Sequence, residues 1–481
     1  MKTHKTLQEK GFSAIDLSKK LQGLKSGDAK WDMGKVFGFV YHPGNHYAKV
    51  SHEYLNAFLH ENTLNPSTFP SLKTFENEII RMASELMHGD SQVAGNITSG
   101  GSESIFLALK VARDWTKEAL PETTTGEIII PETAHPAFHK SCHYLGLKAI
   151  IIPVGEDKRA DVEAMEKAIT ERTVLLVGSA PCFPYGVVDP IADIARVAKR
   201  HGLLCHVDAC MGGFMLPFVE ELGYPVPPFD FRVSGVTSIS LDAHKYGYAP
   251  KGVSILLHKN RELRKKQFYV YTDWSGGIYA STTFMGTKSG GPLAGCWAVM
   301  KHMGREGYRT IADQVMKTTG RIKEGIEKHE HLHVLGKPDM SVLAFTSDRG
   351  DIYNIGDALS AKGWHLDRLQ FPDALHITVN QLNIGKEIAF LKDLDEIMAD
   401  EALLEREYRT TMNSVKLAKT LTGLLPDKWI EKLSRKAGAK IESGGSGKKA
   451  QQAALYGISA TFENRKNVSK LVENLLDGMY S

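Results

Sequence analysis

Nothing in the chain approaches the ~18 consecutive apolar residues that a bilayer crossing needs. The opening MKTHKTLQEKGFSAIDLSKK also lacks the continuous apolar stretch of a secretory signal. A soluble cytoplasmic chain with no transmembrane segment is therefore expected, and export by a route without a cleaved signal stays compatible with that. Cysteine is scarce: Cys142, Cys182, Cys205, Cys210 and Cys296 are odd in number, scattered and mostly beside strand-like runs. That pattern suits buried reduced thiols better than a disulfide framework, and no metal site is expected. Charge of one sign is nearly absent as an excess, +3 over 481 residues, so the electrostatic footprint of a nucleic-acid binder is missing. No internal repeat of fixed period runs through the chain.

What is present is an ordinary globular composition, 42% hydrophobic and 24% charged, with length enough for two or three domains. Between about residues 90 and 260, short β-rich runs alternate with helical stretches. The runs are EIIIP (127–131), KAIIIPV (148–154), TVLLVGSAP (173–181), LLCHVDAC (203–210), SISLDAH (238–244) and GVSILLH (252–258). SIFLALKVARDW (104–115), DVEAMEKAIT (161–170) and PIADIARVAKR (190–200) carry helical spacing. This alternation predicts an α/β fold with a largely parallel central sheet, whose ligands bind beyond the carboxyl ends of the strands. After about residue 305 helices mix with shorter strands such as SVLAFTS (341–347) and ALHITVN (374–380), which predicts a smaller C-terminal α+β domain. The expected division is an N-terminal segment 1–55, a large domain 56–305 and a C-terminal domain 306–481. KIESGGSGKKAQQ (440–452) reads as a mobile Gly/Ser/Lys-rich loop leading into an ordered ALYGISA.

Four features stand at strand ends. In NITSGGSESIFLAL (96–109) two glycines and Ser102 precede an amphipathic helix, a cradle where backbone N–H groups and the helix N-terminus receive an anion, although any helix can start this way with Ser102 as its N-cap. Asp208 closes an apolar run and needs a partner there; a protonated ring nitrogen serves, and so does capping of the following GGF turn. Lys245 follows another such run; shielded in a pocket it becomes a Schiff-base amine, otherwise a snorkelling surface lysine. His135 offers a flat ring after a strand, or a satisfied core histidine. Together, in this chain order on successive βα units, they are the parts that bind pyridoxal 5′-phosphate.

The stretches TSGGSES, TAHPAFHK, HVDACMGGF, DFRVSGVTSISLDAHKYGYAPKG, TDWSGGIYAS and LYGISA resemble the sphingosine-1-phosphate lyase family, from about residue 36 to the C-terminus. That family belongs with the group II decarboxylases among the fold-type I pyridoxal-phosphate enzymes, which implies an aspartate aminotransferase-like fold. The resemblance further implies Lys245 as the Schiff-base lysine, Asp208 as the pyridinium partner and His135 as the stacking ring. Gly101, Ser102 and His244 would hold the cofactor phosphate, with Gly286 and Thr287 reaching across a homodimer interface into a shared site. Tyr41, Asn62, position 65, Lys251 and Tyr456 would meet the substrate phosphate. Position 65 departs from the family's usual histidine, because NTLNP supplies Asn65, which hydrogen-bonds without a charge.

The implied reaction is retro-aldol cleavage of a phosphorylated sphingoid base to a long-chain aldehyde and phosphoethanolamine. Lys245, His135, a tyrosine and the substrate's own phosphate are all chemically able to take the hydroxyl proton. Two alternatives differ from this. An amino-acid decarboxylase would use the same Lys245, Asp208 and His135 but has no evident need for Tyr41, Asn62 and Lys251. A non-catalytic lipid-binding protein on a degenerate fold would be expected to have lost Lys245 or Asp208, and both are intact.

Overall fold

The computed structural model describes residues 7, 9–65, 67–116, 125–404 and a few positions between 469 and 477. The segment 440–452, ALYGISA and Tyr456 lie outside the described residues. The central sheet has seven strands: β1 (Ala94–Thr98), β2 (Glu127–Pro131), β3 (Lys148–Ile152), β4 (Thr173–Ser179), β5 (Leu204–Asp208), β6 (Ser238–Leu241) and β7 (Ser254–His258). Their spatial order is β1-β7-β6-β5-β4-β2-β3. Only β7 runs against the others, pairing antiparallel with both β1 and β6.

Helices cover both faces, so the inner strands read as unbroken apolar runs instead of alternating ones; β2, β4, β5, β6 and β7 are buried at every residue. The helix Ile191–Arg200 between β4 and β5 illustrates the fit. Ile191, Ile194, Ala195, Val197 and Ala198 are buried while Arg196, Lys199 and Arg200 stay outside, the spacing of a helix with one apolar face. Each buried Ile or Val there contributes about 1.5–3 kcal/mol.

Two features of the sheet depart from the simplest expectation. The strand β1, AGNIT, has too few branched apolar residues to announce itself, and its place is set by pairing from Ala94↔His258 to Thr98↔Ser254. The connection from β6 to β7 carries no crossover helix; it is a loop, residues 242–253, between antiparallel neighbours. That loop holds both Lys245 and Lys251. The carboxyl ends of β1, β5 and β6 therefore share an edge with the loop, and the turn after β2, with His135, opens onto the same edge.

A hairpin of β8 (Tyr269–Tyr271) and β9 (Tyr279–Ser281) follows, then a long helix, Gly290–Glu327, broken at Gly304, whose φ is 55°. A second, antiparallel sheet comprises β10 (Leu332–Val334), β11 (Val342–Ser347), β12 (Asp367–Leu369) and β13 (Ala374–Thr378) in the order β10-β11-β13-β12. It docks tightly on the first: Gly186, at φ 67°, approaches β11 so closely that a Cβ would lie 1.9 Å from the Val342 carbonyl oxygen. All five cysteines are buried and free. Among the described residues no helix is long and apolar enough to cross a membrane.

Candidate active site

The β6–β7 loop is rigidly anchored. Tyr246 Oη donates to the Val379 carbonyl and lies 2.7 Å from Ser341 Oγ, tying the loop to the second sheet, and Tyr308 Oη of the long helix donates to the Gly247 carbonyl. Gly247 is required here, since a Cβ would lie 2.5 Å from the Ala243 carbonyl oxygen. Within this frame Lys245 Nζ sits 2.9 Å from Asp242 Oδ2, a carboxylate whose side chain is 3% exposed. Burial works against the ammonium, but Asp242, with Cys210 and Asp208 beyond it, outweighs burial and holds the Lys245 pKa above the ordinary lysine value. Burial would likewise raise Asp242; Lys245, His244 and the Ser254 hydroxyl hold it low.

The anion cradle forms at the start of the helix Gly101–Thr116, next to this pair. Glu103 shapes it: its Oε2 accepts from the Ser99 amide and hydroxyl, both at 2.6 Å, closing the turn back on the helix start. Gly101 admits no side chain, because a Cβ would lie 2.9 Å from both Asp242 Oδ2 and Cys210 Sγ. Ser102 is exposed at the cradle's mouth. His244 borders it, with Cε1 facing Gly100 and a buried Nδ1 that has no hydrogen-bond partner among the described residues.

Asp208 leaves β5 with its Oδ1 accepting from the Cys210 amide at 3.1 Å and from Ser240 Oγ at 3.2 Å. Behind it Ser240 and Ser238 bracket the His206 ring, at 3.3 Å from Nε2 and 2.9 Å from Nδ1. Burial drives His206 down to about 4, against the pull of Asp208, so the ring is neutral beneath the carboxylate. His135 stands in the open cleft with its Nδ1 accepting from the Ala137 amide at 3.1 Å. Desolvation by the cleft wall lowers its pKa, Asp208 opposes this, and the nearby Lys245 charge adds to the lowering. The neutral ring thus carries its proton on Nε2.

Tyr41 and Lys251 meet on the outer side of the loop. The Lys251 ammonium lies 5.1 Å over the Tyr41 ring and donates to the His244 carbonyl at 3.2 Å. Lys251 is exposed as a residue, but its folded-back tip is desolvated and repelled by Lys245, which lowers its pKa. Burial, reinforced by neighbouring acidic groups, keeps the Tyr41 phenol protonated. Asn62 and Asn65 join neither of them by a hydrogen bond among the described residues: their Oδ1 atoms accept from the amides of Leu64 and Ser67, and Asn62 pairs with Ser289. Gly286 and Thr287 lie between Met285, whose amide reaches Glu103, and Lys288, whose ammonium donates to the Ile97 carbonyl at 2.8 Å.

The expected residues Lys245, His244, Asp208, His135, Gly101 and Ser102 thus surround one edge of the sheet. They fit pyridoxal 5′-phosphate on features visible here: a cradle that excludes a Cβ, an orphaned buried ring nitrogen beside it, a buried carboxylate, a flat ring and an amine. Asp242, Glu103, Ser240 and His206 complete the cluster without having been anticipated. Asp242 was hidden because SLD reads as the end of a strand.

Residues 8–348 match the model of the pyridoxal-dependent decarboxylase conserved domain. A sphingosine-1-phosphate lyase of Dictyostelium discoideum is 39% identical over 476 residues, which cover 98% of this chain and 82% of that protein. The solved sphingosine-1-phosphate lyase of Burkholderia pseudomallei superposes with a TM-score of 0.80 at 35% identity, covering 87% of this chain and 97% of its own. A Lactobacillus brevis glutamate decarboxylase shares the fold, with a TM-score of 0.73 at 20% identity, covering 82% of this chain and 94% of its own. The decarboxylase alternative thus reflects shared fold, and this chain belongs to the sphingosine-1-phosphate lyase family of pyridoxal-dependent enzymes.

Proposed function

We propose that the chain is a pyridoxal-phosphate-dependent carbon–carbon lyase that cleaves phosphorylated sphingoid bases to a long-chain aldehyde and phosphoethanolamine. The observation that carries this beyond family membership is the β6–β7 loop, which offers one shielded lysine, Lys245, beside an anion cradle and a second, Lys251, with N–H groups free to meet another phosphate. Bound in the cradle, pyridoxal 5′-phosphate supplies an aldehyde for amine chemistry and an electron sink for the pair released when the C2–C3 bond breaks.

The chain's own residues divide the remaining work. Gly101, Ser102 and His244 hold the cofactor phosphate, Asp208 keeps the ring nitrogen protonated, and His135 covers the ring. Lys251 and Tyr41 bind the substrate phosphate, with Asn62, Asn65 and Tyr456 completing that site. His135 presents Nε2–H to the cleft, so it donates a hydrogen bond instead of taking the hydroxyl proton. Tyr41 stays protonated. Neither of these two side chains takes the C3 hydroxyl proton, which falls to the Lys245 amine, another tyrosine or the substrate's own phosphate.

The active unit is a homodimer in which Gly286 and Thr287 reach the partner's cofactor phosphate. Trp274, Ile278, Phe284 and Met285 are exposed around that loop, an apolar surface suited to cover by a second copy. In the division into 1–55, 56–305 and 306–481, the helix break at Gly304 supports the second boundary, whereas the first falls within the helix Asn45–Ala57. A cytoplasmic location suits the five free thiols. Incubation of the loaded protein with a phosphorylated long-chain base should release equal amounts of aldehyde and phosphoethanolamine. Release of carbon dioxide from amino acids, without cleavage of the sphingoid base, would overturn the assignment.

A further inference from the structure

The proposed chemistry leaves Asp242 without a task, yet it is the most deliberately placed charge at the site. Its side chain is 3% exposed, a burial that costs several kcal/mol unless the charge is matched. Each oxygen has its own partners. Oδ1 accepts from Ser254 Oγ, the first of a file of buried hydroxyls in which Ser104 Oγ lies 3.1 Å from Ser254 and 2.7 Å from Thr98 Oγ1. Oδ2 faces Lys245 Nζ at 2.9 Å, with His244 Nε2 farther off at 3.7 Å. The missing side chain at Gly101 lets the carboxylate reach the start of the helix Gly101–Thr116, where the helix dipole favours negative charge.

We propose that Asp242 is the positioning residue of the cofactor lysine: it holds the Lys245 amine beside the cradle as an ammonium and accepts the proton that must leave before that amine attacks an aldehyde. The inference rests on Lys245 being the cofactor lysine. The balance is simple. The ammonium gives one proton to the carboxylate; the neutral amine adds to the aldehyde carbon, and its two remaining hydrogens leave with the aldehyde oxygen as water. The other groups facing Lys245 are poorly suited to the task. Asp208 is already engaged by the Cys210 amide and Ser240, the Cys210 thiol is held protonated, and the Tyr246 phenol is bonded to the second sheet. His135 presents its proton to the cleft, His244 Nε2 stands 3.7 Å from the same Asp242 oxygen, and Lys251 repels.

The test uses full-length protein stripped of cofactor and then reloaded. Trace acetic anhydride across a pH series, with peptide mass spectrometry, reports the free-amine fraction of Lys245 without any activity measurement. An opposite charge in contact shifts a lysine by ~1–3 pH units, so Asp242→Asn should label Lys245 roughly ten-fold or more faster at pH 8, while surface lysines label unchanged. Rebinding of pyridoxal 5′-phosphate, followed by absorbance, should become less dependent on pH. If Asp242→Asn does not fold, Asp242→Ser, which removes the charge but keeps a small hydroxyl that can meet Ser254, should raise Lys245 labelling by a similar factor. Unchanged Lys245 labelling in the folded variant overturns the role of Asp242. Borohydride trapping of the loaded protein separates the two failures: a pyridoxyl group on another lysine overturns the assignment of Lys245 itself, whereas one on Lys245 with unchanged labelling overturns Asp242 alone.

Discussion

Replacing Lys251 by alanine separates recognition of the substrate phosphate from attachment of the cofactor. One of the three ammonium N–H groups goes to the His244 carbonyl, at 3.2 Å, leaving two for a phosphate. A charged hydrogen bond contributes about 1.5–3 kcal/mol, which corresponds to roughly a 10- to 150-fold loss in kcat/KM for the phosphorylated base. The stability effect is smaller, because the contact with the Tyr41 ring, 5.1 Å away, is worth about 0.5–1 kcal/mol at an exposed site. The assay is aldehyde release from a phosphorylated long-chain base and from its unphosphorylated counterpart, with the absorbance of the loaded cofactor recorded alongside. The loss should be confined to the phosphorylated substrate, and the absorbance should persist. Equal loss on both substrates, or loss on neither, would refute the assignment and leave Lys251 a turn residue.

Other expectations follow from packing and titration. Gly186→Ala forces a methyl into the Val342 carbonyl at a positive φ and should destabilise by roughly 3 kcal/mol or more, whereas Gly146→Ala, also at positive φ but with open space around it, should cost about 1 kcal/mol; equal melting shifts would contradict the docking of the two sheets. Burial lowers His376 to about 4, so its contribution to stability is full above pH 6.5 and is lost as pH falls from there, on the order of 1.4 kcal/mol per pH unit; His376→Gln should flatten the melting temperature between pH 7 and pH 5. Asn65→His should lower the apparent KM for the phosphorylated base at pH 6 more than at pH 8, and an unchanged KM at both would put position 65 outside the phosphate's reach.

Most of the central sheet was legible because buried parallel strands are written as continuous apolar runs, and EIIIP coincides with β2 residue for residue. Lys245, Asp208 and His135 were legible because each follows such a run at the carboxyl edge. β1 was not, since its strand character comes from the partner β7 and not from its own residues. Asp242 and Glu103 were hidden for a related reason: their importance lies in partners distant along the chain, Ser254 for one and the Phe284 amide for the other. The resemblance to the family names Tyr41, Asn62, Asn65, Lys251 and Tyr456 for the substrate phosphate, but among the described residues one chain joins only Tyr41 with Lys251.

The central claim is that Lys245, of the two lysines on one loop, carries the cofactor. Borohydride reduction of the loaded protein, digestion and peptide mass spectrometry test it directly. The account predicts a reduced pyridoxyl-phosphate group on the peptide containing Lys245, bonded to that residue, with Lys251 unmodified. A group on Lys251, or on a lysine outside the β6–β7 loop, would contradict it.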